Sequence, residues 1–426
     1  MNAGNSVLNP QRDFAVDVVE RLRSAGFQAL WAGGCVRDDL LGITPSDYDV
    51  ASTARPNEVI SLFGERRTVA VGASFGVVVV LGPDKASGQV EVATFRSDGE
   101  YLDGRRPTDV TFCSPEEDAK RRDFTINGMF FDPIENTVID YVGGREDLDA
   151  RIVRAIGDAT ARFTEDKLRM LRAVRFASTY EFHLEDSTAS AIRELSSEIS
   201  QVSAERIAME LRRMMAHPTR AISFRRLARV GLLEIVFPHA IKPGDMEAIQ
   251  SCLAALTEPR FEPALAIILS DLYQPTLGVR KLRTEKIEAV SRRLRLSNAE
   301  IDCINWLADS AVRCRSASER PLHELKPILA DERHPLLVDV LRADAIGKGI
   351  PDDDARFLEQ YAAQTPMETL NPAPFVNGGD IQALNVKPGP EFARLLQQIR
   401  NEQLDEQIHS RDEAIARLEE LIGKTR

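Results

Sequence analysis

The 426-residue sequence predicts an α+β fold, with a mixed head of about 150 residues followed by an all-helical remainder. Three observations predict it. Short apolar or alternating runs of strand length cluster in the first third of the chain. Helical spacing of apolar residues takes over beyond residue 150. No apolar run reaches the roughly 18 residues of a membrane helix, so the apolar runs belong to soluble cores.

The elements follow in order. Residues 14–25 carry Val16, Val19 and Leu22 at helical spacing and stop before Gly26. Residues 27–32 read as a strand, 36–41 as a short helix stopped at Gly42, and 48–52 as a strand. Residues 57–63 form a helix introduced by Pro56. Residues 67–71, 75–81 and 90–95 read as strands, the last alternating around Glu91. Breaks rich in Pro and Gly at 217–218, 237–244, 347–354 and 371–380 punctuate the helical part. The expected segments are a head (1–150), a neck (151–216), a body (217–370) and a tail (371–426).

Hydrophobic residues make up 43% and charged residues 28%, the balance of a globular protein. A net charge of −12 excludes a chain-wide basic footprint for nucleic acid. Residues 205–229, however, hold seven arginines against two glutamates, and such a patch can bind phosphates locally. The five cysteines are scattered without a CxxC, which argues against disulfides and structural zinc and fits a reducing cytoplasm. Neither a secretory leader nor a membrane partner is expected.

The sharpest chemical signal lies in the head. Gly33-Gly34-Cys35-Val36-Arg37 follows a strand and opens a helix, so backbone amides can approach an anion closely. Asp47 and Asp49 sit at i and i+2 on a strand, which turns both carboxylates to one face. Two hard oxygen donors beside a phosphate-binding turn describe a Mg²⁺ site for nucleotidyl transfer. Glu91, between apolar Val90 and Val92, is the candidate for a third carboxylate.

These residues resemble the active-site motif of the class II template-independent nucleotidyltransferases of the DNA polymerase β superfamily. That family contains CCA-adding tRNA nucleotidyltransferases and bacterial poly(A) polymerases. Further segments resemble it in order: Glu91-Val92-Ala93-Thr94-Phe95-Arg96, the loop Asp103-Gly104-Arg105-Arg106-Pro107, Arg121-Arg122-Asp123-Phe124-Thr125-Ile126-Asn127, the helix around Asp166-Lys167-Leu168-Arg169, and Glu205-Arg206-Ile207 with Glu210. The C-terminal run from Asn377-Gly378-Gly379-Asp380 through Lys387-Pro388-Gly389 also resembles the longer bacterial members.

The resemblance implies a polymerase-β-like head on an elongated helical neck, body and tail, and tRNA, CTP, ATP and Mg²⁺ as partners. It implies catalytic Asp47, Asp49 and Glu91, the two aspartates holding metal. Nucleotide would be bound by Gly33, Gly34, Arg37, Arg122, Asp123 and Asn127, and by Asp166, Arg169, Arg172 and Arg175. Thr164 reads as a helix N-cap with Asp166 in the first turn, so Asp166, Arg169 and Arg172 would share about a third of one helix circumference. There Asp and Arg would present acceptor and donor edges to the base. Lys167 departs from the proline of many relatives. The expected reaction is CCA addition to tRNA 3′ ends with release of pyrophosphate; poly(A) synthesis and A-only addition are the alternatives. The mixed charge of residues 412–426 favours CCA addition over poly(A) synthesis, and the full-length loop 98–111 argues against an enzyme that adds CC alone. Residues 264–273 resemble the central helix of an HD domain with Ser270 in the place of its histidine, and no adjacent His-Asp pair occurs, so phosphohydrolase chemistry is not expected.

Overall fold

A computed structural model describes residues 9–72, 76–98, 110–269, 280–384, 386 and 389–423. The expected loop motif 103–107, Ser270, and Lys387 with Pro388 lie outside these residues, as does Phe75, where one strand was expected to begin. The chain divides into two units: residues 1–210 with 225–236, and residues 211–224 with 237–426.

The first unit opens with α1 (Pro10–Ser24), capped by Asn9, whose side chain accepts from the Arg12 amide. Then come β1 (Ala29–Ala32), α2 (Gly34–Leu40), β2 (Tyr48–Ser52), α3 (Pro56–Phe63), β3 (Thr68–Gly72), β4 (Val77–Leu81) and β5 (Gln89–Thr94). A hairpin of β6 (Arg96–Asp98) and β7 (Val110–Phe112) leads to α4 (Pro115–Lys120), then β8 (Phe130–Asp132) and β9 (Thr137–Ile139). Seven strands form one sheet in the order β3-β4-β5-β2-β1-β8-β9. Within it β2 and β5 pair in parallel, and the crossover between them carries α3, β3 and β4. All four residues of β1 are buried, as befits a central strand covered on both faces. Trp31 is fully buried there between Tyr48 and Phe131, with ring centroids 4.8 and 5.5 Å away.

The same unit continues through α5 (Gly144–Asp149), β10 (Ile152–Val153), α6 (Ala159–Glu165), α7 (Leu168–Thr179), β11 (His183–Leu184), α8 (Asp186–Leu195) and the start of α9 (Ala204–Met215). The end of α10 (Arg220–Arg229) and α11 (Leu232–Val236) also belong to it. Among the described residues no strand follows Leu184. The run after Asp123 is a 3-10 turn, Thr125–Asn127, and the next strand starts at Phe130. Gly128 and Gly144 explain the turn, since each approaches neighbouring atoms too closely for a side chain.

The second unit is helical: α12 (Met246–Ala255), α13 (Phe261–Leu269), α14 (Arg280–Arg293), α15 (Asn298–Arg313), α16 (Leu322–Leu329), α17 (His334–Lys348), α18 (Asp353–Gln364), α19 (Met367–Leu370), α20 (Gly378–Ala383), α21 (Pro390–Leu404) and α22 (Arg411–Gly423). α13 is apolar almost all round and buried along its length, so it serves as a core helix. α12 and α17 meet at Gly347, where a Cβ would stand 2.2 Å from Cys252 Sγ. Trp306 of α15 lies under the Arg333 guanidinium, 4.5 Å from the ring centroid. The last helices pack on a small core of their own around Ile381, Leu395, Ile399 and Leu418. No helix among the described residues is long and apolar enough to cross a membrane.

Candidate active site

The site grows from the strand order. β2 and β5 lie side by side with Asp49 directly opposite Glu91. Alternation turns their neighbours Tyr48, Val50, Val90 and Val92 into the core and leaves Asp49 half-buried and Glu91 exposed on the other face. Asp47 is exposed one residue before β2. Burial, with Asp47 and Glu91 adding repulsion, pushes the Asp49 carboxyl up to about 7, against the pull of Arg122. Carboxylates that disfavour each other's charge can be neutralised together by a bound cation. Among the described residues no three His, Cys, Asp or Glu side chains form a closed metal cage. An all-oxygen pair of aspartates fits Mg²⁺, which is bound through one or two carboxylates together with substrate phosphates.

Gly33 links β1 to α2 with a φ of +75°, and a Cβ there would stand 2.9 Å from Arg122 Nη1. The turn therefore needs glycine twice over, for its backbone angle and for the arginine beside it. Arg122 is held from behind. Its Nε and Nη2 donate to Asp118 Oδ2 at 3.2 and 3.0 Å, and Nη1 donates to the Asn127 carbonyl at 3.3 Å. Asp118, 1% exposed, also accepts from Arg121 Nε at 2.9 Å and from the Arg96 amide at 3.2 Å. Burial would raise its pKa, but Arg122 and Arg121 hold it below the ordinary carboxylate range.

A buried polar chain runs from this turn into the helices. Arg37, expected at the phosphates, is 5% exposed and donates to Asn127 Oδ1 and to Asp38 Oδ1. Its guanidinium lies 4.5 Å from the Tyr180 ring centroid. Asn127 Nδ2 donates to Asp123 Oδ1 at 3.0 Å, and Asp123 Oδ2 accepts from Arg172 Nε at 2.8 Å. Burial opposes the Asp123 charge, yet Arg172 and Asn127 bring its pKa down to about 2. Arg175 Nε donates to Glu210 Oε2 at 2.6 Å, and Glu210 is 2% exposed. Arg37, Asp123, Asn127, Arg172 and Arg175 thus hydrogen-bond to one another, to Asp38 or to Glu210.

The expected base-reading helix differs in its start. Thr164 is no N-cap; it lies in the last turn of α6, and its Oγ1 donates to the Thr160 carbonyl. α6 is capped by Asp158, and Asp166 is extended at φ −143°, between α6 and α7. Its Oδ1 accepts from the Leu168 amide at 3.1 Å and Oδ2 from Arg206 at 2.8 Å. A short carboxylate that captures a backbone amide two residues on breaks a helix, and Asp166 does so here. Arg169 and Arg172 remain on α7, but Asp166 does not share their helix face. Arg169 is 8% exposed and pairs with Glu165 at 2.6 Å rather than with Asp166. Lys167 stands as the N-cap of α7 and donates to the Thr164 carbonyl at 3.0 Å.

Sequence reasoning passed over Asp118 and Tyr180. Asp118 precedes Arg122 by four residues, an ion-pair spacing on a helix and hence a legible signal. Tyr180, whose hydroxyl donates to Asp38 at 2.8 Å, carries no signal of its own in the sequence.

Comparison with known proteins agrees with this architecture. Residues 29–154 match the family model of the poly A polymerase head domain, and residues 181–242 that of the probable RNA and SrmB-binding site of polymerase A. The CCA-adding enzyme of Lactiplantibacillus plantarum is 31% identical over 420 residues, 97% of either chain. The chain belongs to the CCA-adding enzyme family. Members of this family are nucleotidyltransferases. The CCA-adding enzyme of Geobacillus thermodenitrificans is 43% identical over 226 residues, 53% of this chain and 54% of that one. In that match the chain spans about half the length of the relative. The crystal structure of the Bacillus stearothermophilus CCA-adding enzyme in complex with CTP superposes with a TM-score of 0.76 at 28% identity, covering 98% of this chain and 99% of that one.

Proposed function

We propose that the protein adds CCA to the 3′ end of tRNA from CTP and ATP, releasing pyrophosphate. One observation carries the chemistry: Asp49 and Glu91 stand opposite each other on adjacent strands, within electrostatic reach of Asp47 and Arg122 and beside the Gly33 turn. The choice of CCA and tRNA is supported by relatives named CCA-adding enzymes along nearly the whole chain, and by the CTP held in the Bacillus structure. Relatedness of that kind along nearly the whole chain also supports a cytoplasmic workplace.

Asp47 and Asp49 would hold Mg²⁺, which when bound neutralises triphosphate charge and acidifies the attacking hydroxyl. The amides of the Gly33-Gly34 turn and the Arg122 guanidinium receive the triphosphate. The RNA 3′-oxygen forms a bond to the α-phosphorus, the bond from that phosphorus to the β-phosphate bridge breaks, and pyrophosphate leaves. Glu91, exposed beside Asp49, takes up the hydroxyl proton. Asp166 and Arg169 read the base, their rotamers held by Arg206 and Glu165. Arg37, Asp123, Asn127, Arg172 and Arg175 act by holding this wall in place.

The test incubates the protein with tRNA lacking CCA, tRNA ending in CC, and a generic RNA, each with CTP, ATP or both, and sequences the products. CCA on the first and A on the second are expected, with no tailing of the third. Homopolymeric A on generic RNA would establish poly(A) synthesis instead, and A on the CC-ended tRNA alone would establish A-only addition. Asp47→Ala and Asp49→Ala should abolish incorporation with tRNA binding retained. Asp166→Ala and Arg169→Ala should misincorporate UTP or GTP, because lost base-edge hydrogen bonds cost about 1–3 kcal/mol of discrimination each.

A further inference from the structure

The seven arginines of residues 205–229 have different fates. Arg206 donates to Asp166 at 2.8 Å and Arg212 to Glu300 at 2.6 Å. Arg220 is 1% exposed, and its Nε and Nη1 donate to the carbonyls of His217 and Glu258 at 3.0 and 2.9 Å. Arg213 is engaged as well. Three remain, all in the last five residues of α10: Arg225, Arg226 and Arg229.

Arg225 and Arg229 are exposed and have no hydrogen-bond or ion-pair partner among the described residues. Arg226 is half-buried. Its Nη2 donates to the Phe182 carbonyl at 2.7 Å, which fixes the plane of the fork, while Nη1 is shielded from solvent and unpartnered among the described residues. Burial and the two neighbouring arginines depress its pKa, and Glu181 is the carboxylate that opposes them. Basic residues in a last helical turn suit the helix dipole. That accounts for a cation there, but not for three like charges within about 6 Å of helix rise. Two exposed guanidiniums without a partner among the described residues, with the Arg226 charge beside them, match the negative charge of phosphate groups.

We propose that Arg225, Arg226 and Arg229 form a phosphate-binding cluster that grips the sugar–phosphate backbone of the RNA substrate. The proposal rests on the reading of that substrate as tRNA. RNA is favoured over other polyanions because the cluster lies within the segment whose family model is described as a probable RNA-binding site. Contacts of this kind set position and affinity and carry no base sequence.

The test measures binding of a tRNA transcript lacking CCA to the full-length protein by fluorescence anisotropy across a salt series, without CTP or ATP. The variants are Arg225→Gln, Arg226→Gln, Arg229→Gln and the triple substitution. Arg145→Gln, an exposed arginine already paired with Asp149, controls for net charge. Each cluster variant should lower the slope of log affinity against log salt by about 0.9, and the triple by about 2–3, with Arg145→Gln at the wild-type slope. A wild-type slope in the triple variant overturns the cluster, as does a loss of slope shared by Arg145→Gln. Because Arg225 and Arg229 are exposed, their single variants keep the question open to answer even where Arg226→Gln unfolds the protein. Binding with the expected slopes but no CCA addition refutes the proposed reaction and leaves the cluster standing; CCA addition with unchanged slopes does the reverse.

Discussion

The Asp118 carboxylate, 1% exposed, accepts from the Arg121 and Arg122 side chains and from the Arg96 amide. Asp118→Asn keeps the shape and removes the charge that fixes the Arg122 fork. Nucleotide KM should rise, and kcat/KM for CTP and ATP should fall together by roughly ten- to a hundredfold, equivalent to about 1–3 kcal/mol. In a double-mutant cycle with Arg122→Ala the two losses should not add. Additive losses would mean that Asp118 serves folding alone. Asp123 makes a second residue-scale case, for stability. Its folded pKa of about 2 lies below the ordinary 3.8, so its contribution is complete above about pH 5 and drains away as pH falls from 4 through 2. The amount is on the order of 2 kcal/mol. Urea unfolding of Asp123→Asn beside the wild type should show a gap at pH 7 that narrows below pH 4; a gap constant with pH would place the charge elsewhere.

At the scale of elements, the legible and the illegible separate for physical reasons. β5 lies within a residue of where its alternation around Glu91 predicts, because a strand buried on one face must repeat every two residues. The glycine turn and the aspartate pair were readable for the same reason: their chemistry depends on spacing within one element. The break between α6 and α7 was not. Residues 159–179 are apolar at helical spacing almost throughout, and only the side chain of Asp166, turned back on the Leu168 amide, interrupts them. Nor could the sequence show that Arg37, Arg172 and Arg175 are occupied, since their partners Asn127, Asp123 and Glu210 lie 35 to 90 residues away along the chain. Gly33 offers a test at this scale. Gly33→Ala must hold a left-handed φ and displace an arginine already pinned by Asp118, a cost of about 1–3 kcal/mol. Its melting temperature should fall and its nucleotide KM rise, with Gly42→Ala, in open space at φ +71°, losing stability without the KM change.

For the molecule as a whole, the change from mixed sheet to helix was visible in the sequence because strand patterns stop near residue 150. The course of the chain between its two units was not. It leaves the first at Glu210, returns at Arg225 and leaves again after Val236, and α9 and α10 are unbroken across those points. Two crossings made in continuous helix leave no composition shift or linker to detect. Those crossings also set what cutting the chain would do: a truncation after Glu210 removes residues 225–236 from the first unit and should yield insoluble or partly unfolded protein, measurable by circular dichroism and size exclusion, whereas a stable monomeric fragment would show that segment to be dispensable.

Trp31 in the sheet and Trp306 beneath Arg333 are the chain's two tryptophans, and each unit has one. The protein is therefore born with a separate optical label on each half. With Trp306→Phe, emission reports only the fully buried indole of the mixed-sheet half; with Trp31→Phe, only the helical half. Should the halves melt independently, the two traces will part in denaturant, and added CTP will shift the first and leave the second where it was.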